Sequence, residues 1–216
     1  VDAETALGAG VAYDSFLTVG ATSGNLYPAD YADAAKANTA RMTGAGLDGV
    51  DSWGADGLSL DDGMVYWSDP DDGAGATFAD NMGESGDKIV VAQLTIETGL
   101  EFSATMNAQG MGQTMDRPDM EWKQLGLSWR HDCGTMNSCK YVVSTEILEF
   151  AVDGAGVDGL SGYTTYRLAL TLGEHAVNVY SIFGNSESAL QMPPAWQYSG
   201  ERLLDANIGG SVDAET

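Results

Sequence analysis

"KIVVAQLTIETGLEFSATMNAQG" (Lys88–Gly110) decides the class of fold. In its first half Ile89, Val91, Gln93 and Thr95 alternate with Val90, Ala92, Leu94 and Ile96. After Gly99, Leu100, Phe102, Ala104 and Met106 share one face of a second alternating run. A repeat of two residues is the signature of a β-strand, because successive side chains point to opposite faces. Two such runs around Thr98-Gly99 read as a β-hairpin. "YTTYRLALTL" (Tyr163–Leu172), a turn at Gly173-Glu174 and "AVNVYSIF" (Ala176–Phe183) repeat the design and predict a second hairpin.

Tyr13–Val19, Met64–Ser68, Trp122–Trp129, Lys140–Val143 and Ile147–Ala151 are further strand candidates. The 28 glycines fall between these short apolar runs, as turns between many strands require. "ADYADAAKANTARM" (Ala29–Met42) is the one candidate helix; its apolar stripe is poor, and a long loop is the alternative. The expected fold is mainly β, with antiparallel sheets in a sandwich and little helix.

The two hairpin segments align at an offset of 76. Gln93-Leu94-Thr95-Ile96 then meets Ala169-Leu170-Thr171-Leu172, and both second strands end in an Asn/Gly segment. This suggests two β layers related by a pseudo-twofold axis. The corresponding division is residues 1–130, with the loop or short helix at 29–42, and residues 131–216; one compact unit is the alternative.

Composition limits the partners. Against 32 Asp and Glu stand 9 Lys and Arg, a net charge of −23. Such a surface repels phosphate backbones and anionic lipid, so nucleic acid and membrane surfaces are not expected partners. No apolar run reaches the roughly 18 residues of a membrane span. No signal or transit peptide is recognisable, and the chain does not begin with Met, which suggests a processed product or an excerpt.

Signals for catalysis are few. G-x-S-x-G, H-E-x-x-H, C-x-x-C and a Walker lysine loop are all missing. G-x-G-x-x-G occurs as "GAGLDG" (Gly44–Gly49) and "GAGVDG" (Gly154–Gly159), but neither opens a helix, as a dinucleotide site needs. His131 adjoins Asp132 and Cys133, yet neighbours in an extended segment face opposite ways; His175 reads as a solvated turn residue. The sequence assigns no catalytic residue and no cofactor. "SDPDDGAGATFAD" (Ser68–Asp80) offers Asp69, Asp71, Asp72 and Asp80 as oxygen ligands for Ca²⁺. It has Gly73 where a calcium loop places a ligand, and a plain Asp/Pro/Gly turn explains it as well. Cys133 and Cys139 fit either a closed disulfide or two thiols. In "LQMPPAWQYSG" (Leu190–Gly200), Trp196 and Tyr198 are candidates for a subunit contact, against a loop that lays Trp196 over a sheet end.

Several phrases taken together resemble a known family. They are "YDSFLTVGATSGN" (Tyr13–Asn25), "LSLDDGMVYWSDPDDG" (Leu58–Gly73), "VVAQLTIETGLEFSATMNAQG" (Val90–Gly110) and the segments of Tyr166–Gly210. The chain is similar in these to the pyrenoid shell proteins (PyShell) of diatoms and related algae, and to a repeat of other large algal proteins. The resemblance implies a structural protein that assembles with itself into a thin sheet, tube or array around the Rubisco-containing pyrenoid. That location is the chloroplast stroma at the pyrenoid periphery. Such a sheet supports CO₂ concentration and fixation and meets the Rubisco condensate only indirectly. It implies no catalytic residue, and a reducing stroma favours free Cys133 and Cys139. An extracellular or surface fibre protein is the alternative within the same repeat.

Two other classes compete. Trp53, Trp67 and Trp196 suggest the stacking platform of a carbohydrate-binding module, and the 32 carboxylates leave room for a carboxylate-pair hydrolase without singling out a pair. Finally, "VDAET" stands at Val1–Thr5 and again at Val212, Asp213, Ala214, Glu215 and Thr216. With "ANIGG" just before it, the second copy reads as a junction of repeating units or as a subunit contact.

Overall fold

The alternating segments form long strands, but not the hairpins expected of them. The computed structural model describes residues 13–20, 42–47, 53, 55–75, 88–114, 117–131, 143–152 and 160–197. Its strands are β1 (Phe16–Leu17), β2 (Met42–Ala45), β3 (Leu58–Leu60), β4 (Gly63–Trp67), β5 (Ala74–Gly75), β6 (Lys88–Glu97) and β7 (Phe102–Thr114). They continue with β8 (Arg117–His131), β9 (Val143–Ala151), β10 (Tyr163–Leu172), β11 (Asn178–Val179), β12 (Ser181–Gly184) and β13 (Leu190–Met192). The fold is mainly β, every described pairing is antiparallel, and the described helical structure is limited to 3-10 turns. Of the helix candidate, Ala29–Arg41 lies outside the described residues, and Met42 begins β2.

A smaller sheet has the order β1-β6-β10-β9. A larger sheet has the order β2-β4-β12-β7-β13-β3, with β8 along the other edge of β7, and β11 pairs with β5. Thus β6 ladders with β1 and β10, whereas β7 ladders with β8, β12 and β13. Thr98-Gly99 is therefore not a hairpin turn. It begins an arch that carries the chain from one sheet to the other, and Gly173-Glu174 does the same between β10 and β11–β12. The physical reason is that an arch and a hairpin bury the same alternate residues. In the arch the two apolar rows face each other across a sandwich instead of lying side by side in one sheet. The arch turns still need hairpin-like chemistry: Gly99 has φ +87°, and Thr98 N–H donates to Gly162 O at 2.6 Å.

The offset of 76 recurs in both layers. Ala92 pairs with Leu168 in the smaller sheet, and Asn107 pairs with Phe183 in the larger one. In each pair the second residue follows the first by 76 positions. The offset thus relates the arch β6–β7 to the arch β10–β12, and each layer holds one strand of each. Strands from residues 1–130 and 131–216 are neighbours in both sheets.

The true long hairpin is β7–β8, in register from Phe102↔His131 to Thr114↔Arg117. Opposite Asn107, β8 carries two residues, Leu125 and Gly126. Gly126 has φ +66°, and its N–H donates to Asn107 Oδ1 at 2.9 Å. This bulge inverts the alternation, so Trp122 before it and Leu127 and Trp129 after it all reach the core. Residues 143–151 form one strand where Lys140–Val143 and Ile147–Ala151 are read as two; 140–142 lie outside the described residues.

The core joins Val65, Trp67, Met106, Ala108, Trp129 and Ile182 of the larger sheet to Leu94, Leu168 and Leu170 of the smaller. Each buried indole N–H has an acceptor, as burial of that donor requires. Trp53 bonds Pro193 O, Trp67 bonds Val19 O, Trp122 bonds Met111 O and Trp129 bonds Ala169 O, all at 2.9–3.1 Å. Under Trp122, Gly110 is required: a Cβ there would meet Asn178 O and lie 2.5 Å from the indole.

Candidate assembly surface

The outer faces of the two sheets are built differently. In the smaller sheet all of Ile89–Ile96 is buried, including Gln93 and Thr95, which do not belong to the apolar core. The polar side chains of β6 are bonded by residues 13–20, which run along its edge through β1, and by β10. Thr95 Oγ1 lies 2.5 Å from Tyr13 O and 2.7 Å from Thr165 Oγ1, and Thr95 N–H donates to Ser15 Oγ. Gln93 Nε2 donates to Asp14 O and its Oε1 accepts from Arg167 Nε, whose guanidinium lies 3.8 Å from the Phe150 ring centroid. Thr18 and Gly20 donate backbone N–H groups to Val91 and Val90. The polar side chains that β6 presents here, Gln93 and Thr95, are bonded inside the molecule.

The larger sheet's outer face is not covered in that way. Because Val65, Trp67, Phe102, Ala104, Met106, Ala108, Ile182, Leu190 and Met192 face the core, the alternate residues face out. These are Met64 and Tyr66 of β4; Ser103, Thr105, Asn107, Gln109 and Met111 of β7; Ser181 and Phe183 of β12; Gln191 of β13; and Ser59 of β3. None is charged, in a chain of net charge −23. Most are exposed or half-buried, Met64 at 37%. Asn107 is covered by the Asn185–Ser188 turn, to which its Nδ2 donates at Ser188 O, and Phe183 by Lys123, 4.7 Å from its ring centroid. Among the described residues charge returns on β8, whose outward residues include Glu121, Lys123, Leu125, Ser128 and Arg130. Behind this edge, burial first and then the Glu121 charge raise the Tyr180 phenol above the ordinary tyrosine value of 10.0.

The residues singled out in the sequence are scattered. Asp69 and Asp71 share a turn in which the Asp69 side chain accepts Asp71 N–H at 3.1 Å and caps the 3-10 turn Pro70–Asp72. Asp80 lies outside the described residues, and among those described no three His, Cys, Asp or Glu side chains are grouped to hold a metal. Trp196 is half-buried, and its backbone N–H donates to Thr95 O at 2.8 Å, extending the edge of β6. Tyr198, Val212–Thr216, Cys133, Cys139 and "GAGVDG" lie outside the described residues. Gly44 of the other glycine motif lies within β2, opposite Val65. His175 is exposed in its turn.

The proposed tryptophan platform is not formed. Trp53 and Trp67 are 1% and 2% exposed and donate their indole N–H groups inward, so neither presents a ring face to a sugar. No helix among the described residues is long and apolar enough to cross a membrane. Compared with protein-family models, with curated proteins and with solved structures, the chain shows no match.

The sequence reading missed the uncharged face, although part of its signal is local. From Ser103 to Met111 every outward position of β7 is Ser, Thr, Asn, Gln or Met. The rest required knowing that β4, β12 and β13 lie beside it.

Proposed function

We propose that the protein is a structural component that assembles with copies of itself into a thin proteinaceous layer, through the outer face of the larger sheet. The observation that carries this reading is that face: its strands bear no charge from β4 to β7 while the molecule carries −23. An uncharged, solvent-facing sheet surface on a highly charged molecule is where copies approach with least repulsion and least desolvation cost. The resemblance to pyrenoid shell proteins suggests the setting, a shell around the Rubisco-containing pyrenoid that supports CO₂ fixation.

Negative-stain microscopy of the purified protein tests the reading. Sheets, tubes or filaments are expected, and Met64→Glu is expected to suppress them while leaving the unfolding midpoint unchanged, because Met64 is exposed on the outer face. A protein that stays a monodisperse monomer across salt, pH and concentration overturns it.

A further inference from the structure

The uncharged face has two unlike borders. On one side is β8, where Lys123 and Arg130 are exposed opposite Gln109 and Ser103. Between them stands Leu125, 44% exposed. Neither cation has an ion-pair partner among the described residues, whereas Lys88 holds Glu146 at 2.8 Å. With 32 carboxylates to 9 Lys and Arg, a cation left unpaired on the surface is the scarce species. On the other side, two strands away from β7, Asp61 and Asp62 form the exposed turn between β3 and β4, directly before Gly63 and exposed Met64. Three strand spacings, about 14 Å, separate β4 from β8.

Given the assembly reading above, on which this step rests, we infer that the outward face of β8 from Lys123 to Arg130, beyond Glu121, is the docking surface for the Asp61-Asp62 turn of a second copy. The occupant follows from charge. The chain's own surface is overwhelmingly acidic, so the partner that β8 attracts in a concentrated solution of this protein is another copy. The match is also apolar, since Leu125 stands between the cations and Met64 two residues after Asp62. The turn and β8 lie on different strands of one copy, so each copy can offer both at once. Such a contact extends an array where the rotation does not close it. Association driven this way weakens with salt, because exposed charges are screened over about 10 Å at 0.1 M ionic strength.

A charge exchange tested by sedimentation decides the matter. Lys123→Glu/Arg130→Glu and Asp61→Lys/Asp62→Lys are each expected to self-associate at least about tenfold more weakly than the parent. Their equimolar mixture is expected to associate like the parent, since each then supplies what the other lacks. Unchanged thermal midpoints confirm that both variants fold. A control replaces the Asp61→Lys/Asp62→Lys partner with Glu97→Lys/Glu174→Lys, which shifts net charge equally at other exposed positions. Rescue by this control as complete as by the Asp61/Asp62 variant overturns the inference in favour of net charge alone. A parent that assembles while both variants assemble equally well overturns the docking surface and leaves the assembly reading standing. A parent that remains a monomer under every condition overturns both.

Discussion

The smaller sheet and the larger sheet share one core but treat their second faces in opposite ways. On β6 the outward Gln93 and Thr95 are almost wholly buried and bonded to Asp14, Tyr13, Ser15, Thr165 and Arg167. On β7 the outward Thr105 and Gln109 are half-buried, and Thr105 reaches only Ala189 O at 3.4 Å. Similar side chains in similar strands thus close a structure in one place and leave a surface in the other. A polar residue on a strand reports only that it can hydrogen-bond; whether the partner is the same chain, water or another molecule depends on what lies over it.

Breaking the shared core should do most damage. Trp129 fills it from β8 and donates across the sandwich to Ala169 O. Trp129→Ala should lower unfolding stability by about 3–5 kcal/mol in urea titration. Both faces should lose order together; retention of assembly by a strongly destabilised variant would show that the two sheets do not depend on each other.

The contrast itself is sharpened by a matched pair. Thr95→Val keeps the shape but removes the hydroxyl shared by Tyr13 O and Thr165, and should cost about 1–3 kcal/mol. Thr105→Val on the larger sheet should change stability by no more than about 0.5 kcal/mol. Equal costs would erase the distinction between a covered and an uncovered face.

The smallest effect lies at high pH. Burial and the Glu121 charge disfavour the Tyr180 phenolate, so the folded state holds its proton to higher pH than the unfolded chain. The associated stability is present below the unfolded value of 10.0 and is lost as pH rises through the raised folded value. Ultraviolet titration should show a late-ionising tyrosine that disappears in Tyr180→Phe and titrates earlier in Glu121→Gln.

Much of the secondary structure is legible from alternation alone, as in β6, β7 and β10. The bulge at Leu125-Gly126 is visible only as a break, where apolar positions shift from Trp122 to Leu127 and Trp129. The candidate surface is partly legible in Ser103–Met111, but its basic and acidic borders are not, since nothing local puts Asp61 and Lys123 on one sheet. The buried Trp53 and Trp67 misled for a related reason: a tryptophan in sequence carries no mark of whether its indole N–H points to a carbonyl inside or its ring to a ligand outside.

By itself the sequence determined that this chain makes β-strands, where most of them run and which alternate residues are apolar, because a two-residue period is a local consequence of the extended backbone. It also determined the charge of −23. Only the tertiary structure decided that Thr98-Gly99 and Gly173-Glu174 open arches between sheets. That choice rests on ladder partners such as Thr95 and Thr165, 70 positions apart. Pairing over that distance is settled by the collective burial of both sheets, and no property of the turn residues encodes it.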